Sequence, residues 1–164
     1  MTTTSKTMVN KDLANKKITV EREFAAPVEQ VWKAWTDSKL LDKWWAPKPW
    51  RAETKSMDFR PGGLWLYCMV GPDNEKIWAR VDFQSVDALK SYTGTDAFCD
   101  EHGNKSSDMP NMSWRNEFHG TADGTRVVVN ISFSSEADIK TTIEMGFEAG
   151  FTSAMDNLDE LLAG

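Results

Sequence analysis

The chain has 164 residues, of which 40% are hydrophobic and 27% are charged, with a net charge of −6 and a pI near 5.0. This is the composition of one ordinary globular domain. An acidic chain without clusters of Lys and Arg lacks the basic face that binds nucleic acid or anionic lipid, so we expect neither partner.

The first 16 residues are polar and contain no apolar core that would mark a signal peptide. We expect residues 1–16 to form a flexible tail and residues 17–164 to form a single domain. The sequence has no apolar run long enough to cross a membrane, which predicts a cytoplasmic protein without membrane insertion. Cys68 and Cys99 lie outside any metal-binding motif, and we expect both to be reduced.

The domain is predicted to open with a strand and two short helices. Residues 17–24 (KITVEREF) alternate apolar and polar side chains, which indicates a half-buried strand. Pro27 favours the start of a helix, because proline at the first helical position loses no hydrogen bond. Asp37 and Ser38 predict the cap of a second helix, which ends before Pro47.

Residues 50–134 are predicted to form strands separated by turns, among them Pro-Gly-Gly at 61–63 and Gly-Pro-Asp-Asn at 71–74. Counting residues 17–24, the sequence predicts an antiparallel sheet of about six to seven strands. The chain is also rich in tryptophan, with eight in total. So many large rings can build a core, and they can also line a cavity.

Two polar side chains fall on strand faces that are otherwise apolar. Arg22 lies on the apolar face of residues 17–24, and Asn116 lies on the apolar face of residues 112–118. Groups in such positions must be paired or hydrogen-bonded. We favour an ion pair for Arg22, for instance with Asp58. The alternative is that these groups orient the polar end of a ligand.

The last segment predicts one long helix from Ser135 to about Leu162, with Ser135 as its cap. Gly146 and Gly150 lie one turn apart within it, although an interior glycine costs about 1 kcal/mol relative to alanine. Together with Ala154 they form a row of small residues. Such a row either admits the backbone of a sheet packed on the helix or leaves volume for a ligand.

Three segments carry a family resemblance, namely residues 18–47 (ITVEREFAAPVEQVWKAWTDSKLLDKWWAP), 59–74 (FRPGGLWLYCMVGPDN) and 145–163 (MGFEAGFTSAMDNLDELLA). They resemble the branch of the START-type helix-grip superfamily (SRPBCC) that is similar to activators of the heat-shock-protein-90 ATPase. The resemblance covers about residues 17–162. It implies an α+β helix-grip fold, in which a curved antiparallel sheet wraps around a long C-terminal helix, with two short helices after the first strand.

The same resemblance implies a deep apolar pocket between sheet and helix, but no particular reaction, because function depends on the site and not on the fold. From strand parity and the helical rows we expect the ligand-binding residues to be Trp65, Tyr67, Met69, Trp114, Asn116, Phe118, Gly146, Phe147, Gly150, Phe151 and Met155. His102 and His119 have no partner at metal-ligand spacing. We therefore expect no catalytic constellation, no metal and no cofactor.

Three functions stay open. The first is binding of a small hydrophobic, aromatic or lipid-like molecule. The second is a cyclase or aromatase type of enzyme, for which the sequence offers only the scattered Arg22, Tyr67 and Asn116. The third is a co-chaperone of a heat-shock ATPase, for which we expect no stimulation of the ATPase. Trp78 is expected on the outer surface, where it would permit a partner contact or a homodimer.

Overall fold

The computed structural model describes residues 7–106 and 111–163. This part of the chain forms eight strands and four helices. The strands are β1 (Met8–Asp12), β2 (Lys17–Phe24), β3 (Arg51–Met57), β4 (Leu64–Val70), β5 (Lys76–Asp87), β6 (Ser91–Cys99), β7 (Met112–Gly120) and β8 (Thr125–Phe133). The helices are α1 (Val28–Thr36), α2 (Ser38–Trp44), α3 (Glu136–Glu144) and α4 (Phe147–Ala163).

All described strands belong to one antiparallel sheet in the order β1-β2-β8-β7-β6-β5-β4-β3. The sheet is curved and open, and the chain has the predicted α+β helix-grip architecture. Strand β2 and the two short helices lie where the sequence predicts them. The predicted caps are also confirmed, since the Asp37 side chain accepts a hydrogen bond from the backbone N–H of Lys39, and the Ser135 side chain accepts one from the backbone N–H of Asp138. No described helix is both long and apolar enough to span a membrane.

The sheet has one strand more than the upper end of the prediction, because Met8–Asp12 pairs with β2. Met8 lies opposite Glu21 and Asp12 opposite Lys17. The boundary between tail and domain at residue 16 is therefore corrected for residues 8–12, which are an edge strand. Most side chains of β1 are exposed, so the strand has no apolar alternation that sequence reasoning could detect. Residues 1–6 of the predicted tail lie outside the described residues.

The C-terminal segment is two helices and not the single long helix expected. Gly146 has a φ of +86°, in the left-handed region, and its N–H donates to the carbonyl of Ile143 at 3.0 Å. A left-handed glycine is a common way to end a helix, because it satisfies a carbonyl that would otherwise be unpaired. The prediction of two interior helix glycines is therefore wrong for Gly146, whereas Gly150 lies inside α4.

Helices α1 and α2 fill one end of the concave face with tryptophan. Trp35 and Trp44 are fully buried, and their ring centroids are 4.8 Å apart. The indole N–H of Trp44 donates to the carbonyl of Ala34 at 2.9 Å. Trp32 meets Phe118 edge-on at 5.1 Å. This end of the fold is solid core, so a hollow between sheet and helices must lie toward the other end.

Arg22 joins the sheet to α4. Its side chain is 3% exposed and donates to Asp156 at 2.5 Å, with Asp159 at 3.4 Å. The partner suggested from the sequence, Asp58, pairs instead with Arg60. The topology explains the correction, because Arg22 lies on β2 while Asp58 follows β3 at the opposite edge of the sheet.

Alanine at each glycine tests the helix break. We expect Gly146→Ala to lower the free energy of unfolding by about 1–2 kcal/mol, because a side chain disfavours left-handed backbone. We expect Gly150→Ala to raise it by up to about 1 kcal/mol, because the nearest atom to an added Cβ is Cγ of Pro47 at 3.8 Å. Urea denaturation measures both values. Effects of the same sign at the two positions would contradict the break.

The buried guanidinium gives a second prediction. Replacing both Asp156 and Asp159 by Asn should lower the free energy of unfolding by about 2–4 kcal/mol, because it leaves Arg22 buried without its counter-charges. Arg22→Met removes the charge itself and should cost less. Glu160→Gln is the control, since its ion pair with Lys48 is exposed at both ends. A larger loss for Arg22→Met than for the double variant in the same urea series would refute this account.

Candidate functional site

A cleft of about 230 Å³ lies at the end of the concave face that the α1 and α2 tryptophans leave open. Its floor comes from strands β4 to β7, and its other side comes from the segment after α2 and from the junction of α3 with α4. The lining residues are Trp45, Pro47, Tyr67, Met69, Ala79, Asp96, Ala97, Phe98, Met112, Trp114, Thr142, Met145, Gly146, Phe147, Gly150 and Phe151.

Six of the sixteen lining residues are aromatic. Phe151 meets Trp114 at 5.7 Å and Trp45 at 6.0 Å between ring centroids, in both cases edge-on. Phe147 stacks on Phe151 at 5.4 Å with an angle of 17° between planes. These contacts fix each ring in a preferred aromatic geometry. The cleft is therefore held open by rings that already have their packing partners.

Tyr67 places a hydroxyl group among these rings. Its oxygen accepts a hydrogen bond from the indole N–H of Trp45 at 2.9 Å, and its ring stacks on Trp65 at 4.1 Å. Burial raises the pKa of Tyr67 above its ordinary range, and the nearby Asp96 raises it further. The phenol is therefore neutral at physiological pH and acts in the cleft as a positioned polar group.

Asp96 is the one acid among the described lining residues. It lies on β6 in register with Val81 on one side and Met112 on the other. Burial raises the pKa of Asp96 to about 7, against hydrogen bonding from the Trp114 side chain and the Met112 backbone. The neighbouring Tyr67 is the only other titratable residue that the described lining contains. The cleft thus holds a carboxyl group that changes charge near neutral pH.

The hydrogen bonding of Asp96 is incomplete. Its Oδ1 is buried without a partner of normal geometry, and so is Nε1 of Trp114. The two atoms are near enough to interact, and the indole N–H favours the carboxylate form, although their geometry is not that of a normal hydrogen bond. The residue as a whole is half-buried and lines the cleft, so part of the carboxyl is open to it. A polar group on the wall of a cavity is a feature that a ligand can bind.

Seven of the eleven predicted site residues line the cleft, and the other four lie in the core around it. At the cleft are Tyr67, Met69, Trp114, Gly146, Phe147, Gly150 and Phe151. Four lie in the surrounding core, namely Trp65, Asn116, Phe118 and Met155. All four are buried between sheet and helices, as the strand and helix patterns predict. Position along the strand or helix then decides whether a buried side chain reaches the cleft. Asn116 instead lies in register with Tyr92 of β6, and its Oδ1 is buried without a hydrogen-bond partner.

Sequence reasoning missed Asp96 and Trp45, which line the cleft. In the strand SYTGTDAFC, Asp96 has the same parity as Tyr92 and Phe98, so it is a carboxyl on an inward face. The rule that singled out Arg22 would have identified it. Trp45 follows the last residue of α2, and no periodic pattern predicts the direction of a side chain at that point.

Two other sequence-based expectations concern Trp78 as a surface contact and the absence of a metal site. Trp78 is half-buried on the face of β5 opposite to Ala79, with the amine of Lys55 lying 5.8 Å from its ring centroid. Its role as a partner contact stays a prediction. Within residues 7–106 and 111–163, no three His, Cys, Asp or Glu side chains come together in a way that could hold a metal ion.

The comparisons with known proteins point to one family. The sequence profile described as "Activator of Hsp90 ATPase homolog 1-like protein" matches residues 25–163. A crystal structure of a protein from Mycobacterium smegmatis is 33% identical, with 96% of this chain and 97% of that chain covered and a TM-score of 0.88. A solution structure from Arthrobacter aurescens is 30% identical, with 95% and 91% covered and a TM-score of 0.90. No curated protein matches the chain.

Asp96 makes stability depend on pH in a defined direction. The folded protein binds the Asp96 proton more tightly than the unfolded chain, so this group destabilises the fold progressively as pH rises from about 4 to about 7. At pH 8, Asp96→Asn should therefore raise the free energy of unfolding by on the order of 1–3 kcal/mol. The gain should vanish near pH 4, which urea denaturation across this range measures.

The control for this experiment is Asp123→Asn, which changes a carboxyl on an exposed turn. It removes one carboxyl from the surface and leaves the cleft unchanged, so it should not reproduce the gain of Asp96→Asn at pH 8. A difference for Asp96→Asn that stays constant from pH 4 to pH 8 would show that the Asp96 carboxyl does not titrate as described.

Proposed function

The chain belongs to the activator of Hsp90 ATPase homolog 1-like family, within the SRPBCC fold superfamily, and from this premise we propose that it binds a small ring-containing apolar molecule. The site is the cleft between strands β4 to β7 and the junction of α3 with α4. The fold of this family is compatible with a ligand pocket. The nature of the ligand follows from the shape and chemistry of the cleft walls.

The observation that carries the proposal is the unfilled volume beside Gly150. A Cβ built there meets only Cγ of Pro47, at 3.8 Å, although Gly150 is half-buried inside α4 and lines the cleft. Protein interiors are close-packed, so a hollow beside a helical position that could hold a larger residue is unusual for a core. Because the walls already have their packing partners, a ligand would bind without ordering new side chains, which favours affinity.

The volume of the cleft limits the size of the ligand that the sequence predicts. An engineered apolar cavity of about 150 Å³ holds one benzene molecule. The cleft has about 230 Å³, which suits one substituted ring or a fused pair of rings. A hydrophobic or aromatic molecule of this size fits better than a lipid with a long acyl chain. Edge-to-face contacts with Trp45, Trp114 and Phe151 would favour an aromatic ring.

Asp96 favours the enzyme as a second candidate function. A carboxyl whose pKa lies near 7, on the wall of an apolar cleft, is a suitable general acid or base at neutral pH. Such a group would exchange an acidic C–H proton of a bound ligand. Incubation of aromatic ketones in D2O, followed by NMR, measures this exchange. Exchange that is lost in Asp96→Asn would establish the reaction, and exchange equal to the buffer rate would remove this candidate.

Filling the cleft tests the binding proposal. We expect 2-(2-naphthyl)ethanol, a neutral two-ring probe, to bind the protein in calorimetric titration. We expect Gly150→Leu to weaken this binding at least about tenfold, because the new side chain occupies ligand volume. Ala149→Leu is the matched control, since it adds the same side chain at an exposed position of the same helix. Its affinity should equal that of the parent protein.

The indole N–H signals of the parent protein locate the probe independently. Those of Trp45 and Trp114, which line the cleft, should shift on titration, whereas that of Trp78 should not. Equal affinity in the two leucine variants, or shifts confined to tryptophans outside the cleft, would refute the assigned site. No binding by this probe and by other one- and two-ring neutral molecules would refute the proposed function.

A further inference from the structure

The proposed function leaves open what the polar part of the ligand is, and Asp96 bears on it. The carboxyl lies on a wall made of rings, beside the Trp114 indole and near Tyr67. Its Oδ1 is enclosed beside the Trp114 indole, so a ligand in the cleft reaches the carboxyl through its other oxygen. A ligand that is apolar throughout would cover the ionised carboxylate and remove its contact with water, at a cost that opposes binding. A ligand that presents a hydrogen-bond donor to Asp96 avoids this cost.

Charge decides between a neutral donor and a cationic one. None of the described residues that line the cleft is Lys, Arg or His, so the carboxylate has no counter-charge in the lining. A cation would supply the missing charge, and charge-assisted hydrogen bonds are roughly twice as strong as neutral ones. An anionic ligand would instead meet a like charge in a poorly solvated site.

The aromatic rings of the cleft also favour a positively charged ligand. Trp114 lies 6.0 Å from Trp45 and 5.7 Å from Phe151 between centroids, and Tyr67 completes the wall on the strand side. The faces of such rings carry negative potential and attract a cation within about 6 Å, most strongly for tryptophan. A carboxylate in a cleft lined by several aromatic rings is a combination suited to a protonated amine.

On these grounds, and resting on the proposed function, we propose that the ligand is a one- or two-ring molecule bearing a protonated amine. The amine donates hydrogen bonds to Asp96, its positive charge lies against Trp114 and Tyr67, and its ring occupies the volume beside Gly150. The remaining rings select the apolar part by shape. The substrate class is thus an aromatic or alicyclic amine.

A matched series of probes tests the charge of the ligand. The amine 2-(2-naphthyl)ethylamine, the alcohol 2-(2-naphthyl)ethanol and 2-naphthylacetic acid share one ring system and differ in charge. At pH 8 we expect the amine to bind at least about tenfold more tightly than the alcohol, and the acid most weakly. Calorimetric titration measures all three. An alcohol that binds as tightly as the amine, or tighter, would overturn the proposal.

Two further arms assign the preference to Asp96. Asp96→Asn should reduce the affinity for the amine about tenfold and leave the affinity for the alcohol nearly unchanged, while Asp123→Asn changes neither. In the parent protein, lowering the pH from 8 to 5.5 should weaken amine binding about tenfold or more, because protons then compete for a carboxyl with a pKa of about 7. The affinity for the alcohol should not follow this trend.

The outcomes separate this inference from the proposed function. Binding of the neutral alcohol in the cleft without any preference for the amine would leave the binding function standing and overturn the cationic ligand. An amine preference that survives both Asp96→Asn and low pH would also overturn it. Should the variant fail to fold, the pH arm on the parent protein decides alone. Failure of all three probes to bind would remove both proposals.

Discussion

The left-handed backbone at Gly146 determines where the cleft lies. Helix α3 packs against the sheet through Ile139, which is fully buried. Helix α4 packs against α2, and the amide of Asn157 donates to the carbonyl of Ala46, just after the end of α2, at 3.0 Å. The break allows each half of the segment to take its own direction. The site opens at this junction, and both helix ends contribute to its walls.

Trp45 connects the solid end of the fold to the hollow end. Its ring contacts Trp35 and Trp44 in the core, and it also contacts Trp114 and Phe151 at the cleft. Its N–H is bonded to the hydroxyl of Tyr67. A ring held from both sides can hardly rotate into the hollow, because protein cores are close-packed. The dense tryptophan cluster therefore supports the cleft by preventing its collapse, which answers why so small a domain carries so many large rings.

The parts of this fold that follow from periodicity were predictable, and the parts that depend on backbone dihedrals or on distance were not. Strand β2 and the caps of α2 and α3 have local signals, and the structure has them where the sequence predicts. Strand β1 has no such signal, because it is held mainly through backbone pairing. The spacing of Gly146 and Gly150 suggests two equivalent residues, whereas only φ distinguishes a helix end from a helix interior.

The site shows the same division. Alternation along β4 and β7 predicts which side chains share a face, and Tyr67, Met69 and Trp114 are the three of the six predicted there that line the cleft. The position of the hollow along that face depends on where α1 and α2 place their tryptophans and on the helix break at Gly146. That placement is a property of the tertiary packing and has no local signature. Asp96 is different, since its inward parity is visible in the strand sequence.

A carboxyl group in an apolar cleft is informative because the fold gains nothing evident from it. Asp96 completes no ion pair among the described residues, and its burial raises its pKa, which means that ionisation opposes folding at neutral pH. Arg22 is equally unusual in its position, but its two carboxylates join β2 to α4 and thereby account for it. Violations of local rules that no structural contact compensates are concentrated at functional sites. By this comparison, Arg22 belongs to the architecture, whereas Asp96 supports the proposal that the cleft is a ligand site.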